Sequence, residues 1–240
     1  MELVLNNIKK SFNDKVVLKD INLEIGAGEF VCILGHSGCG KSTMLNLIAG
    51  FTKPDSGIIS VNQVPISKPN QERGIVFQEH ALFPWYTVSE NIAFGPTVQG
   101  KSKIEVQEIV NKYLKMIGLE QFKNHFPSEL SGGMKQRVGI ARALAGQPKL
   151  LLMDEPFAAL DIFTKETMRK ELTEIWSELK TTIVFITHDI TEAIYLADRI
   201  VVMKHGVIAA DKRVPMERPR EIETPAFRSL VQELQQMLVD

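Results

Sequence analysis

Hydrophobic residues in the first third of the chain occur in short runs separated by turn-forming residues, a pattern typical of β-strands. One run, Phe30–Leu34 (FVCIL), is apolar at every position and predicts a strand buried on both faces of a sheet. A glycine-rich stretch follows it, and residues 44–49 then predict a helix that ends at Gly50. The predicted strands of this region are 3–5, 16–18, 21–25, 30–34, 58–61 and 74–77.

The hydrophobic spacing becomes helical near residue 85. Apolar residues between 106 and 117 recur at the three- and four-residue intervals of one helix face. Helical spacing continues to residue 145, with breaks predicted at Gly95-Pro96, at Gly118 and at Phe126-Pro127. This segment predicts a helical insert at about 85–145.

Strand and helix patterns alternate after residue 145, which is typical of a parallel sheet whose strands are joined by helices. The predicted strands are 150–153, 183–186 and 200–203, and the predicted helices are 164–179 and 190–197. A final helix is expected from residue 226, where the apolar residues again fall on one helix face. The chain is therefore predicted to be one α/β domain, 1–240, with a core at 1–84 and 146–215, the insert, and a helical tail at about 216–240.

Composition and charge exclude several classes of protein. Of 240 residues, 44% are hydrophobic and 24% are charged, which is typical of a globular domain and excludes a disordered chain. The net charge of -1 provides no general attraction for nucleic acid, so we expect no nucleic-acid partner. The apolar runs are too short for a transmembrane helix, the start lacks a signal-peptide stretch, and the chain has 2 cysteines. These features predict a cytoplasmic protein.

Residues 35–42 (GHSGCGKS), here called the phosphate loop, match the pattern G-x-x-x-x-G-K-[ST] without a mismatch. Glycines allow successive backbone N–H groups to converge on phosphate oxygens, and the following helix contributes its positive N-terminal end. In such loops the lysine reaches the β- and γ-phosphates and the serine ligates Mg²⁺, so ATP and Mg²⁺ are the predicted cofactors. The predicted nucleotide-binding residues here are Gly35, His36, Ser37, Gly38, Cys39, Gly40, Lys41, Ser42 and Thr43.

Two carboxylates, Asp154 and Glu155, follow the apolar run at 150–153. On the pattern of sites that hydrolyse nucleoside triphosphates, Asp154 supports Mg²⁺ and Glu155 lies beside the attacking water. Two acids at this position also fit a solvated strand end. The phosphate loop upstream favours the catalytic interpretation.

Residues 130–144 contain LSGGM, KQR and IARAL, and they closely resemble the signature motif of ATP-binding cassette (ABC) ATPases. Other motifs of that family follow in order: Gln78 resembles the Q-loop glutamine, residues 159–161 (ALD) the D-loop, and His188 the switch histidine. Phe12 occupies the place of the aromatic residue that stacks on adenine. The resemblance covers essentially the whole chain and implies a P-loop NTPase fold with a parallel core sheet, an N-terminal antiparallel β-subdomain and a helical insert.

The resemblance also implies a role for each matched residue. Ser131-Gly132-Gly133 would form a second anion site that faces the γ-phosphate bound by another copy, which implies a head-to-tail homodimer. The implied catalytic residues are Glu155, His188, Lys41 and Gln78, the implied Mg²⁺ ligands are Ser42, Gln78 and Asp154, and the nucleotide contacts beyond the phosphate loop are Phe12, Ser131, Gly132, Gly133 and Asp161.

Several of these residues also fit purely structural roles. Ser131 is a good helix N-cap, and a lone aromatic such as Phe12 is more often part of a core. His188 by itself fits a polar loop, although a neutral imidazole can donate a hydrogen bond to phosphate. Cys39 is either an accessible thiol near the N–H groups of the loop or a core residue like Cys32.

The signature also resembles one branch of the family in detail. Met134 stands where glutamine is commonest, and the form GGM-KQR resembles that of the ATPase subunits of nitrate, sulfonate and taurine importers. Residues 84–92 and 218–220 resemble the same branch. This implies a peripheral protein on the cytoplasmic face of the inner membrane, bound to transmembrane permease subunits and, through them, to an extracytoplasmic solute-binding protein.

Residues 79–85 (EHALFPW) combine polar and aromatic residues at the start of the insert and predict a contact surface for a permease. Alternatively, Leu82, Phe83 and Trp85 belong to the core of the insert. A soluble ABC ATPase and a nucleotide-gated scaffold are the alternative functions. The first is disfavoured because coiled-coil inserts and tandem cassettes are lacking, and the second because Glu155 and His188 are both present.

Overall fold

The structure is a computed structural model that describes residues 1–78 and 81–239. In these ranges no helix is long and apolar enough to cross a lipid bilayer. The strands are β1 (Leu3–Phe12), β2 (Lys15–Ile25), β3 (Phe30–Leu34), β4 (Ser56–Val61), β5 (Val64–Pro65), β6 (Arg73–Val76), β7 (Leu150–Asp154), β8 (Thr182–Thr187), β9 (Arg199–Lys204) and β10 (Val207–Arg213). The helices are α1 (Lys41–Ala49), α2 (Val88–Val98), α3 (Lys103–Met116), α4 (Gly132–Ala145), α5 (Ile162–Leu179), α6 (Ile190–Leu196) and α7 (Pro225–Val239).

The chain forms two compact units, one from residues 1–70 and 180–240 and the other from residues 71–179. The predicted insert at 85–145 falls entirely within the second unit. The predicted division of one domain into a core, a helical subdomain and a tail stays a prediction.

The first unit contains an antiparallel sheet with the strand order β2-β1-β4-β5. Leu3 of β1 lies opposite Ile25 of β2 and Val61 of β4, and all three side chains are buried. In the same unit β3 lies between β8 and β9 and pairs with both in parallel, which accounts for its unbroken apolar sequence. An N-terminal antiparallel sheet and a parallel core strand are thus present as expected.

Strand β10 is absent from the sequence-based prediction. It pairs antiparallel with β9 through a two-residue turn, His205-Gly206, and both turn residues have positive φ angles (46° and 82°). Such a turn matches the twist of a hairpin. A Cβ atom on Gly206 would lie 2.3 Å from the carbonyl oxygen of Val17, so this position requires glycine. The HG pair followed by apolar Val207 is the signal that could have revealed the strand.

The second unit contains the parallel strands β6 and β7 and helices that include α2, α3 and α4. The predicted helix break at Gly95-Pro96 is wrong, because α2 continues to Val98 with Pro96 inside its last turns. Gly95 instead permits close packing, since a Cβ atom there would lie 3.2 Å from Cα of Gly146. The break at Gly118 is confirmed: α3 ends at Met116 and Gly118 has a φ of 62°.

Helices α2 and α3 begin with the same arrangement of side chains. The Thr87 and Ser102 hydroxyls accept hydrogen bonds from the backbone N–H groups of Glu90 and Glu105, whose carboxylates bond back to the cap residues. These hydrogen bonds lower the pKa values of both glutamates. Each helix start therefore has a local signal in its own sequence, and the start of α2 is also held by hydrogen bonds from the N–H groups of Val88 and Ser89 to the carbonyls of His125 and Lys123.

Helix α7 packs its apolar face on the first unit, with Phe227, Leu230 and Leu234 buried as the spacing predicts. Two arginines that precede it hold the C-terminal end of α6. Arg220 donates to the carbonyl oxygens of Ile194 (2.5 Å) and Ala197 (2.6 Å). Burial lowers the Arg220 pKa to about 10, so the side chain remains charged at neutral pH and offsets the negative end of the helix.

Candidate nucleotide-binding site

Strand β3 leads directly into the phosphate loop, and the backbone of the loop needs its glycines at two positions. A Cβ atom on Gly35 would lie 2.4 Å from the carbonyl oxygen of Met203, and one on Gly40 would lie 2.7 Å from a methyl group of Leu18. Gly40 also has a φ of 106°, in the left-handed region. The close fit of backbone against neighbouring strands fixes where the loop turns into α1.

Helix α1 begins at Lys41 with Gly40 as its N-cap, so no side chain caps its first turn. Its first backbone hydrogen bond runs from the N–H of Met44 to the carbonyl of Gly40. The preceding N–H groups of a helix have no intrahelical acceptor and carry partial positive charge. This arrangement suits an anion, and open space surrounds the position of a Cβ on Gly38, whose φ is 81°.

Lys41 is only 5% exposed, yet it carries the charge of the loop. Its Nζ donates to the carbonyl oxygens of Gly35 (2.8 Å) and His36 (3.0 Å). A buried ammonium group is stabilised by such hydrogen bonds and interacts strongly with an anion that enters its low-dielectric surroundings. The loop residues therefore fit the phosphates of a nucleotide.

Cys39 is 8% exposed, so the expectation of an accessible loop thiol is wrong, and the residue lines one wall of a cavity beside the loop. Cys32 on β3 is completely buried, and burial raises the pKa of its thiol well above the usual range. The Cys32 sulfur thus has a packing role in this structure.

Phe12 lies at the end of β1 with 47% of its surface exposed, so its alternative role as a core aromatic is wrong. Lys10 Nζ lies 5.3 Å from the ring centroid and also pairs with Asp55 at 2.7 Å. The ammonium group contacts the ring as a cation–π pair. The exposed part of the ring is accessible to a flat apolar partner.

His188 stands at the corner between β8 and α6, with an exposed side chain. The residues on either side fix this corner. Asp189 accepts hydrogen bonds from the N–H groups of Thr191 (2.8 Å) and Glu192 (3.2 Å), and Thr187 Oγ1 donates to Glu192 Oε2 at 2.8 Å. A rigid turn therefore presents the imidazole to solvent at the carboxyl end of a core strand.

In the second unit, β7 ends at Asp154, and Glu155 is the first residue beyond it. Glu155 has a φ of 44°, in the left-handed region where a non-glycine residue costs roughly 1–2 kcal/mol. Residues held in this way are frequent at functional sites. Other non-glycine residues of the chain share a positive φ, among them Gln147 and Lys180, so the catalytic role of Glu155 stays a prediction.

Ser131 is the N-cap of α4, and its Oγ accepts a hydrogen bond from the N–H of Met134 at 3.3 Å. The capping role is thus present, and Ser131 and Gly132 remain exposed at the helix start. A Cβ atom on Gly133 would lie 3.4 Å from the carbonyl oxygen of Ala159. The structure therefore brings the signature motif next to the segment that resembles the D-loop.

Asp161 has a clear local role at the start of α5. Its carboxylate accepts hydrogen bonds from the N–H of Thr164 (3.1 Å) and from Thr164 Oγ1 (2.6 Å). These bonds lower the pKa of Asp161, which stays ionised at neutral pH. The exposed carboxylate is thereby held in one orientation.

Gln78 is exposed, and two residues without a predicted role hold its segment. Gln136 Nε2 donates to the carbonyl oxygen of Phe77 at 3.4 Å, and Arg142 Nη1 donates to that of Ala81 at 2.9 Å. Both belong to α4, in the KQR and IARAL parts of the signature, so their place in that motif was the available signal. Glu79 and His80 lie outside the described residues.

Four aromatic side chains of the same unit pack against one another and are here called the aromatic cluster: Phe83, Trp85, Tyr86 and Phe94. The ring centroids of the contacting pairs lie no more than 6.4 Å apart. The Arg142 guanidinium lies 5.1 Å from the Phe83 ring. Trp85 is 66% exposed, so the alternative that it belongs to the insert core is wrong, while Leu82 and Phe83 are half-buried. The cluster presents a partly exposed apolar surface.

Comparisons with known proteins cover most of the chain. A family model described as ABC transporter matches residues 18–158. The nitrate import ATP-binding protein NrtD of Synechocystis sp. is 47% identical over 233 residues, 95% of this chain and 88% of that protein. The taurine import ATP-binding protein TauB of Yersinia pestis bv. Antiqua is 47% identical over 204 residues, 85% of this chain and 80% of that protein.

Among solved structures, a dimeric post-hydrolysis state of the ATP-binding cassette MJ0796 bound to ADP and Pi matches with a TM-score of 0.80 and 36% identity. The match covers 90% of this chain and 100% of that chain. The expected fold class is therefore confirmed.

Proposed function

The chain belongs to the ABC transporter family as an ATP-binding and ATP-hydrolysing cassette, and from this membership we propose that it powers an importer of a small solute of the nitrate, sulfonate or taurine type. The observation that carries the proposal is the arrangement around α4. One helix begins with the signature motif, bonds to both sides of the Gln78 segment and contacts the exposed aromatic cluster. Helix α4 thus connects the segment that would sense nucleotide to the surface that would dock a permease.

Nucleotide binding starts at the phosphate loop. The N–H groups at the start of α1 bind phosphate oxygens, Lys41 donates to the β- and γ-phosphates, and Phe12 stacks on adenine. Thr43 adds a hydroxyl at the same helix end. This assignment is supported by the buried charge of Lys41 and the half-exposed ring of Phe12.

Ser42, Gln78 and Asp154 would hold Mg²⁺ together with phosphate oxygens. In the described part of the chain no three His, Cys, Asp or Glu residues form a metal site of their own. Mg²⁺ commonly binds through one or two carboxylates plus substrate phosphates, so this donor set suits it. When bound, the ion neutralises charge on the β- and γ-phosphates.

Hydrolysis assigns distinct roles to two further residues. Glu155 orients the attacking water and accepts its proton, and the backbone held at a φ of 44° fixes where its carboxylate starts. His188 donates a hydrogen bond to the γ-phosphate from a corner braced by Asp189 and Thr187. The neutral imidazole of His188 is sufficient for this hydrogen bond.

A second copy completes the site. Ser131, Gly132 and Gly133 at the start of α4 would bind the γ-phosphate held by the other protomer, with Asp161 close to the same signature turn. Two such sites are closed by one two-fold axis, which gives a head-to-tail homodimer that forms with ATP and opens after hydrolysis.

The aromatic cluster is the proposed docking surface for a permease subunit on the cytoplasmic face of the inner membrane. A permease would in turn connect the cassette to an extracytoplasmic solute-binding protein. Gln78 senses nucleotide, and α4 transmits its position to the cluster through Arg142. Transport is then driven by opening and closing of the dimer.

Uptake measurements test the solute class. A strain that lacks this chain should lose uptake of nitrate, taurine or an aliphatic sulfonate, and the intact gene should restore it whereas Lys41→Ala should not. If none of the three uptakes depends on the chain while the purified protein hydrolyses ATP, the importer assignment is wrong and the soluble ATPase alternative gains support.

A second experiment tests the docking surface. Trp85→Ser should weaken recovery of the subunit in membranes with its permease, because an exposed aromatic anchor is removed. Ile104→Ser, which changes another exposed apolar residue of the same unit, is the matched control. Equal membrane recovery of both variants and the parent would contradict docking at the aromatic cluster.

A further inference from the structure

The C-terminal end of α7 lies against the phosphate loop. His36 Nε2 is 3.2 Å from the carbonyl oxygen of Leu238. A carbonyl oxygen can only accept, so this contact assigns the proton to Nε2 of His36. The second residue of the loop is thereby bonded to the last turn of a helix 202 residues further along the chain.

A cavity of about 310 Å³ separates the rest of the loop from this helix end. Residues 36–39 line it on one side, the end of β9 with His205 on another, and Leu238 with Val239 on a third. The loop is therefore not fixed on this side by dense side-chain packing. Its position depends instead on discrete contacts, among which is the hydrogen bond from His36 to Leu238.

Helix α7 is well placed to serve as an anchor. Phe227, Leu230 and Leu234 are buried, and Glu233 forms an ion pair with Lys212 of β10 at 2.7 Å. The last carbonyl groups of a helix have no intrahelical donor and carry partial negative charge, so a side-chain N–H is their favourable partner. His36 supplies that donor at Leu238.

His36 also connects this anchor to the charged group of the site. Its backbone carbonyl accepts a hydrogen bond from Lys41 Nζ at 3.0 Å. One residue thus bonds α7 through its side chain and Lys41 through its main chain. We infer that α7 is a positioning element of the nucleotide site, which holds the phosphate loop and Lys41 in register through His36 and so raises the affinity for ATP.

The physical reason is that a loop ordered before binding has less conformational entropy to lose when phosphate enters.

Removing residues 235–240 deletes the Leu238 carbonyl and leaves the buried anchor residues of α7 in place. His36→Ala removes the donor from the other side. Each change should raise the KM for ATP and the dissociation constant of a fluorescent ATP analogue about fivefold, the factor equivalent to one net hydrogen bond of about 1 kcal/mol. The kcat should fall by less than twofold.

The double variant separates a shared contact from two independent effects. It should bind ATP no more weakly than either single variant, because both changes remove the same hydrogen bond. His36→Gln keeps an N–H donor and should recover most of the affinity, and Gln232→Ala, on the exposed side of α7, is the matched control.

Three results would overturn the inference: independent, multiplicative losses in the double variant, unchanged ATP affinity on truncation, or tighter ATP binding on truncation. The last would mean that α7 restrains the loop against nucleotide. If the truncated protein does not fold, the comparison of His36→Ala with His36→Gln still tests the inference, because His36 is exposed and its substitution leaves the buried residues of α7 in place. Equal ATP affinities for these two variants would contradict a role for the hydrogen bond to Leu238.

Discussion

Gln136 in α4 donates a hydrogen bond to the main-chain carbonyl of Phe77, the residue immediately before Gln78. Arg142, near the other end of the same helix, bonds the carbonyl of Ala81 on the far side of Gln78. The helix that begins with the signature therefore holds both flanks of the segment around Gln78. Any displacement of α4 that accompanies dimer closure would move Gln78 with it.

Gln136→Leu tests the link between the signature helix and Gln78. The substitution leaves the Phe77 carbonyl without this donor in a buried setting, and we expect a loss of about 1–2 kcal/mol in the free energy of unfolding. The rate of ATP hydrolysis should fall more than ATP affinity, because Gln78 is held less firmly. Urea unfolding measures the loss of stability, and a phosphate-release assay at increasing ATP concentration measures the rate of hydrolysis and the KM. A variant with normal turnover would show that α4 does not position Gln78.

Glu155→Gln should keep ATP affinity and reduce hydrolysis by about 10²–10⁴-fold, because the water loses its proton acceptor while Lys41 and the loop are unchanged. The ATP-bound dimer should then accumulate, and size-exclusion chromatography with MgATP would detect it. Hydrolysis within twofold of the parent would show that Glu155 is not the base.

The backbone at Glu155 gives a companion prediction about stability. Glu155→Gly should be as inactive as Glu155→Gln but more stable by about 1 kcal/mol, because glycine adopts a φ of 44° without steric cost. Equal unfolding free energies for the two variants would mean that the left-handed conformation at residue 155 carries no strain.

Ser131→Arg should abolish hydrolysis without preventing ATP binding to the same chain, because a bulky side chain would meet the γ-phosphate held by a second copy. The structure adds a complication: Ser131 is also the N-cap of α4, so the change costs about 1 kcal/mol in stability. Ser102→Arg removes the equivalent cap from α3 and is the matched control. If both variants lose hydrolysis equally, helix fraying rather than the shared site is responsible.

The sequence predicts those features whose cause lies in neighbouring residues. The phosphate loop, the buried strand before it and the ends of helices with capping residues all have local signals. The break predicted at Pro96 is wrong because a proline does not always end a helix: α2 continues for two residues to Val98, and Gly95 packs closely against Gly146. That contact joins residues far apart in sequence and has no local signature.

The contacts of Arg218 and Arg220 likewise could not be predicted from the neighbouring sequence. In the sequence, residues 218–220 show only a likeness to one branch of importers. The structure supplies a physical role, because Arg220 bonds three carbonyl groups at the end of α6, those of Ile194, Tyr195 and Ala197. The positions of those acceptors depend on how β8, α6 and β9 fold back together, which no pattern within residues 218–220 contains.

Arg220→Ala should lower the free energy of unfolding by about 2–4 kcal/mol, since several buried carbonyl groups lose a charged donor at once. Arg220→Lys should recover part of the loss, because an ammonium group reaches fewer acceptors. Arg228→Ala is the control: its ion pair with Glu223 is exposed, and its removal should change stability by less than about 0.5 kcal/mol. Similar losses for residues 220 and 228 would contradict the proposed anchoring of α6.

Tyr113 of α3 provides a prediction about alkaline pH. Its hydroxyl donates to the carbonyl oxygen of Leu144 at 3.1 Å, and burial raises its pKa to about 12, with a smaller effect from Glu178. The unfolded chain ionises this tyrosine near pH 10, whereas the folded chain keeps the proton until about pH 12. The folded state therefore binds more protons between these values, and stability falls as the pH rises through them.

The expected decline is about 2–3 kcal/mol in the free energy of unfolding between pH 10 and pH 12, which corresponds to a shift of about two pKa units. Tyr113→Phe should lose about 1 kcal/mol at pH 8 with the hydrogen bond to Leu144, yet it should lack this part of the alkaline decline. Other groups that titrate above pH 10 are shared by both proteins and cancel in the comparison. Urea unfolding at half-unit steps from pH 8 to pH 11.5 would measure the unfolding free energies of the parent and Tyr113→Phe. The parent should be the more stable protein at pH 8, and the variant should become the more stable one at high pH. Parallel curves would show that Tyr113 ionises equally in both states and that its burial does not resist alkali.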